Sequence, residues 1–145
     1  MPRFLIATDG SDQALHAARA VVTMAGWLKE PPSIQVVHVH QPIPVNIHAA
    51  VGMVLDEQTV RQYYQDEGEK ALAGVRQLLD DARLEHAAQL LIGHAPAQLI
   101  QYADQHEVDL IVLGACGRGR IAGAVLGSVS GQVLQAARRP VLVVR

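Results

Sequence analysis

Between positions 114 and 130 the chain reads Gly-Ala-Cys-Gly-Arg-Gly-Arg, then six residues from Ile121 to Leu126, then Gly-Ser-Val-Ser. Gly114, Gly117 and Gly119 free the backbone for positive φ and let its N–H groups approach an anion with no side chain in between. Gly127-Ser128 can open a helix. The first unpaired N–H groups and positive dipole end of that helix attract phosphate, and the hydroxyls of Ser128 and Ser130 can add hydrogen bonds. Arg118 or Arg120 is available to neutralise phosphate charge. On glycine count alone, an ordinary loop with a serine cap reads equally well. A second polar cluster, Thr8-Asp9-Gly10-Ser11-Asp12, follows the first apolar run. Asp9 could bond a ligand hydroxyl or hold a metal-bound water there, or merely close an Asx turn or cap the next helix. His38 and His40 share one face of a strand, but no Cys, Asp or Glu nearby completes a ligand set and zinc spacing is absent. No metal site built from protein alone is expected; magnesium arriving with phosphates requires only one or two protein ligands. Cys116, the one cysteine, sits beside the glycines, where a lowered pKa would make it redox sensitive, or it is a small filler.

These residues depend on the elements around them. Phe4-Leu5-Ile6-Ala7 reads as a buried strand that stops at the polar cluster. From Ala14 the apolar positions Leu15, Ala18, Val21, Val22 and Ala25 form a helical stripe, with Ser11 or Asp12 as cap and an end near Gly26. Residues 34–40 have strand propensity and run into Pro42 and Pro44. Residues 41–55 have no clean period and read as a mobile or lid-like connection. Helical spacing returns from Asp56 to about Arg83. A third strand covers 88–92, a helix opens at Pro96, and a fourth strand, 108–113, enters the glycine loop. A helix over 128–137 and a strand over 140–144 complete the order. Five short apolar strands alternating with four helices predict an α/β fold, a mostly parallel open sheet covered on both faces. Ligands of such sheets sit beyond the carboxyl ends of the strands where the order reverses, so the loops after the first and fourth strands are the place for a site.

Composition narrows the function. With 145 residues, half of them hydrophobic, the chain suits one domain spanning 1–145. Twelve Lys plus Arg against fourteen Asp plus Glu leave a net charge of −2, and no field of one sign for nucleic acid or an anionic membrane. Aromatics make up 3%, too few for stacked flavins or single-stranded bases. The lone cysteine, the absence of a cleavable leader after Met1 and the shortness of the apolar runs set a cytoplasmic, reducing location as the expectation.

Gly114, Gly117, Gly127 and Ser128, two glycines three apart followed after nine residues by Gly-Ser, resemble the ATP-binding signature of the universal stress protein family. The resemblance spans nearly the whole chain through Ala7-Thr8-Asp9-Gly10-Ser11, His38-Val39, residues 109–114, 126–130 and 140–144. It implies a Rossmann-like, adenine nucleotide alpha hydrolase-like sheet of five parallel strands in the order 3-2-1-4-5. It also implies that Ala7, Thr8 and Asp9 lie beside the nucleoside and that Val39 meets adenine through its backbone. Gly114, Gly117, Arg118 and Gly119, with Gly127, Ser128, Val129 and Ser130, would then hold ribose and phosphates. The implied ligand is ATP, or ADP or AMP, with Mg2+ near Asp9. The implied role is a nucleotide-dependent stress-response switch, homodimeric along the edge strand 140–144. A slow ATPase, a relative of the ATP pyrophosphatases and a nucleotide-free dimeric interaction protein are the alternatives. The pyrophosphatases carry a glycine-rich loop after the first strand, where this chain offers only Gly10, and no lysine or evident general base accompanies the glycine loop here.

Overall fold

Strand β1, Arg3–Ala7, is the middle of the molecule: Phe4, Leu5 and Ile6 are buried from both sides. The structure, a computed structural model, describes residues 1–44, 56–117 and 125–145. Helix α1 covers Asp12–Ala25, and its cap is Ser11, whose hydroxyl accepts the Ala14 N–H at 3.3 Å. Asp12 therefore falls in the first turn, where its charge favours the positive dipole end. Ala14, Ala17, Ala18 and Val21 form the buried stripe, small enough for α1 to lie close on the sheet. Strand β2 is Ser33–His40, and helix α2 is Glu57–Asp81, capped by Asp56, which accepts from Thr59 N at 2.7 Å.

Strand β3, His86–Ile92, starts two residues before the expected Ala88. His86 and Ala87 have weak strand preference, but the Glu85 carbonyl already accepts from Ile34 N at 3.2 Å, and β2 templates the added pairs. Helix α3, Ala95–Gln105, carries its proline in the first turn, β4 is Leu110–Gly114, helix α4 is Ser128–Ala136, and β5 is Val141–Val144. Val108 and Asp109 precede β4 rather than belonging to it: Val108 N closes the end of α3 on Ala103 O, and Asp109 N bonds Arg3 O.

All pairings are parallel and the order is β3-β2-β1-β4-β5. Strand alternation divides the core in two. Phe4, Ile6, Ile34, Val36 and Val112 face α1 and α2, packing on Ala17, Val21, Leu72, Val75 and Leu79. Leu5, Val37, Ile111 and Leu113 face α3 and α4, packing on Leu99, Ala103 and Val133. Each such side chain contributes roughly 1.5–3 kcal/mol when fully buried, so neither face is dispensable. The chain order reverses between β1 and β4, which opens a crevice at their carboxyl ends. Among the described residues, no helix is long and apolar enough to cross a membrane.

Candidate functional site

At the end of β1 the chain turns sharply, and its polar side chains hold the turn. Thr8 is buried; its hydroxyl donates to Ala71 O of α2 and accepts the Gly10 N–H, both at 3.1 Å. Gly10 takes φ +80°, which a side chain would resist. Asp9 Oδ1 accepts from Ser11 N at 2.9 Å, so Asp9 closes the turn, while its Oδ2 is directed at Gly117. The end of β2 is tied to the same turn, because the Nδ1–H of His38 donates to the Thr8 carbonyl at 2.8 Å.

Across the crevice, β4 ends at Gly114. The loop leaves through Ala115 and Cys116 and returns at Gly127, whose N–H bonds Ala115 O at 2.6 Å. Ser130, in the first turn of α4 and buried, donates its hydroxyl to Gly114 O at 2.6 Å and fixes the helix to the strand end. Gly127 is the N-cap, in extended backbone and with no capping side chain, so the first N–H groups of α4 have no side-chain partner at the cap. They and the helix dipole are what an anion would meet.

One cleft of about 320 Å³ joins these pieces, within the range of small-molecule sites. Ala7, Thr8 and Asp9 line it from β1, Val39 from β2, and Gly114 and Gly117 from the β4 loop. Gly127, Ser128, Val129 and Ser130 line it from the start of α4. Arg118 and Gly119, like Arg120 and the 45–55 part of the long connection, lie outside the described residues.

Two sequence expectations change. Among the described glycines, positive φ is found at Gly10 and Gly93, not at Gly114 or Gly117, which serve close approach instead. A Cβ on Gly114 would stand 2.8 Å from the Gln13 backbone of α1, and one on Gly117 would overlap Asp9 Oδ2. The Ser130 hydroxyl, expected to serve a ligand, spends its proton on Gly114 O. Asp9 closes the turn through Ser11 N and also lines the cleft.

Sequence reasoning missed the apolar wall. Val37, Leu99 and Leu113 line the cleft along with Ala95 from the start of α3, and Gln41 and Leu126 lie at its margins in sequence. For Ala95 and Leu99 the signal in the sequence is the helix start at Pro96, whose first turns reach the crevice. His38 also lines the cleft, and Cys116 is buried in its wall. The rings of His38 and His40 meet edge-on at 6.0 Å, and His40 continues onto Tyr63 and Tyr64. Among the described residues, no group of three or more His, Cys, Asp or Glu side chains is placed to hold a metal ion.

Known proteins resemble the chain over its full length. The universal stress protein of Thermus aquaticus encoded beside a sulfhydrylase is 33% identical over 141 residues, covering 97% of this chain and 96% of that protein. Universal stress protein YxiE of Bacillus subtilis is 28% identical, with 99% and 98% covered. Among solved structures, MJ0577 of Methanocaldococcus jannaschii superposes with a TM-score of 0.80 at 22% identity, covering 99% of this chain and 94% of that one. A universal stress protein solved in complex with cAMP gives 0.68 at 26% identity, covering 99% and 97%. Two further neighbours of the same fold were solved with dAMP, from Archaeoglobus fulgidus, and with AMP, from Arabidopsis thaliana. The model of the universal stress protein family matches residues 1–145, and the chain belongs to that family.

Proposed function

We propose that the cleft binds an adenine nucleotide, foremost ATP with Mg2+, and that occupancy acts as a stress-response switch rather than as a step in rapid turnover. The observation that carries this reading is convergence: the ends of β1, β2 and β4 and the first turn of α4 line one cleft where the strand order reverses. The relatives solved with cAMP, dAMP and AMP support the ligand class.

The lining divides by chemistry. Val37, Val39, Leu99 and Leu113 offer an apolar slot suited to a purine. Asp9 is suited to a ribose hydroxyl or a magnesium-bound water. Gly117, bare of a Cβ where one would collide with Asp9, lets the loop backbone approach that carboxylate closely. The start of α4 and the 114–119 loop, with Arg118 and Gly119, receive the phosphates. Mg2+ supplies charge balance for the bound phosphates. Among the described lining residues there is no Lys or Arg to stabilise a transferring phosphoryl group, which favours binding over catalysis. The working unit is a cytoplasmic homodimer paired along β5, whose four apolar residues are each half-exposed at the sheet edge.

The test is to purify the chain, denature it and identify the released small molecules by chromatography and mass spectrometry, then repeat with Gly117→Ala and Gly127→Val. Adenine nucleotide should come from the native chain and not from the variants. No released nucleotide, together with no thermal shift on adding ATP and Mg2+, would falsify the proposal. Labelled ATP incubated with the chain should remain largely intact over many minutes.

A further inference from the structure

The described lining of the cleft carries the carboxylate of Asp9 and no Lys or Arg, and all nine residues of α4 are uncharged. A triphosphate keeps net negative charge even with Mg2+ bound. Cations do stand nearby, at the two ends of β5. Arg138 and Arg139 lie between α4 and the strand, and Arg145 follows it. Arg139 Nε holds Asp104 Oδ1 at 3.3 Å. Arg138 is exposed and makes no ion pair with a described residue. Building on the nucleotide cleft and the β5 homodimer of the preceding reading, we propose that Arg138 of the partner subunit completes the phosphate end of each cleft.

The strand dictates this placement. Pro140 O accepts from Ile111 N and Val144 O from Ala115 N, so even-numbered residues face β4, and Val141 and Val143 turn their backbone groups outward. Antiparallel pairing symmetric about Leu142, the middle of the strand, joins Val141 to Val143 twice through about four hydrogen bonds. It sets Arg145 opposite the partner's Arg139 and leaves the partner's Arg138 just beyond the carboxyl end of β5. That end adjoins the mouth of the cleft. Val144 O bonds Ala115 N at 2.7 Å, and Ala115 O bonds the N–H of Gly127, the cap of α4, at 2.6 Å.

The face agrees as well. Val141 packs on the side of the sheet that carries α4, and a two-fold axis normal to the sheet keeps the α4 helices of both copies on that side, running antiparallel. The end of one helix, where Arg138 follows, is then level with the start of the other. From β4 to the paired β5 is two strand spacings, roughly 10 Å, a gap that an extended arginine and a phosphate chain close together. Charge gives the reason for an anion there. Arg145 and the partner's Arg138 and Arg139 repel one another, and among the described residues only Arg139 has a carboxylate side chain to hold. Phosphate between them relieves that repulsion through charge-assisted hydrogen bonds.

Calorimetry with Mg2+ present, at concentrations where sedimentation shows a dimer, tests the assignment. Arg138→Gln should weaken ATP binding about tenfold, the loss of a charge-assisted contact, and should change AMP binding far less, because the contact is to the outer phosphates. Action across the dimer shows on mixing. Gly127→Val crowds its own loop but keeps Arg138. In heterodimers of Gly127→Val with Arg138→Gln, isolated by two affinity tags, the Arg138→Gln chain's cleft meets an intact arginine. Tight ATP sites should appear there that neither variant has alone. Without any variant, native ATP affinity should fall about tenfold on dilution from dimer to monomer. Unchanged ATP affinity in the Arg138→Gln dimer, heterodimers with no tight site, or a native affinity indifferent to dilution overturns the proposal and leaves the nucleotide cleft standing. A native chain that binds no adenine nucleotide, or that sediments only as a monomer, overturns the underlying reading together with it.

Discussion

Gly114 is a glycine because of what lies behind it rather than because of what it might bind. The alanine methyl in Gly114→Ala would press on the backbone of Gln13 and push α1 from β4. We expect a loss of about 1–3 kcal/mol in urea unfolding, the usual cost of overpacking a tight core, together with weaker nucleotide binding. Ser130→Ala tests the latch at the other side of the loop. It removes a buried hydroxyl bonded to Gly114 O and leaves that carbonyl short of a partner, a loss of about 1–3 kcal/mol. Ser130→Thr, which keeps the hydroxyl, should lose less. If Ser130→Ala unfolds at the native urea midpoint, the latch has no structural weight. The type and spacing of these residues were legible in the chain, but their division of labour was not. Hydroxyl and glycine suit an anion and a close helix contact equally, and only the neighbour across space decides between them.

The long helix α2 begins at the carboxylate of Asp56, directly after residues 45–55. Its hydrogen bonds to Thr59 hold the Asp56 carboxyl below the ordinary value of 3.8. A lowered folded-state pKa contributes stability above the unfolded value and loses it as pH falls through the folded one. Asp56→Ala should therefore fray the first turn of α2 at neutral pH, seen as faster amide exchange at Thr59 and Val60. The difference from the native chain should vanish as pH drops below 3.8. A difference that persists in acid would mean that the carboxylate is not the cap. The apolar stripes of α1, α2 and α4 were readable because helical spacing repeats along the chain. The start of β3 was not, because two weak strand formers are held by β2 rather than by their own preference.

At the scale of the molecule, the cleft couples binding to stability. A ligand of the folded state at a hundred times its Kd raises the unfolding free energy by about 2.7 kcal/mol. ATP with Mg2+ should raise the Tm of the native chain accordingly. Gly127→Val should abolish that shift, since its side chain would crowd Cys116 and Ala115 where the loop closes. An equal shift in both proteins would place the ligand elsewhere. The sequence by itself determined the α/β class, the alternation of elements and the segments that meet at the switch point. Periodicity and strand-end polarity are local properties written along the chain. Only the tertiary structure decided that Asp9 faces Gly117, that Ser130 is tied to Gly114 and that α3 adds Ala95 and Leu99 to the apolar wall. Those are contacts between residues distant in sequence, set by how right-handed crossovers stack helices on a twisted sheet, and no local pattern encodes them.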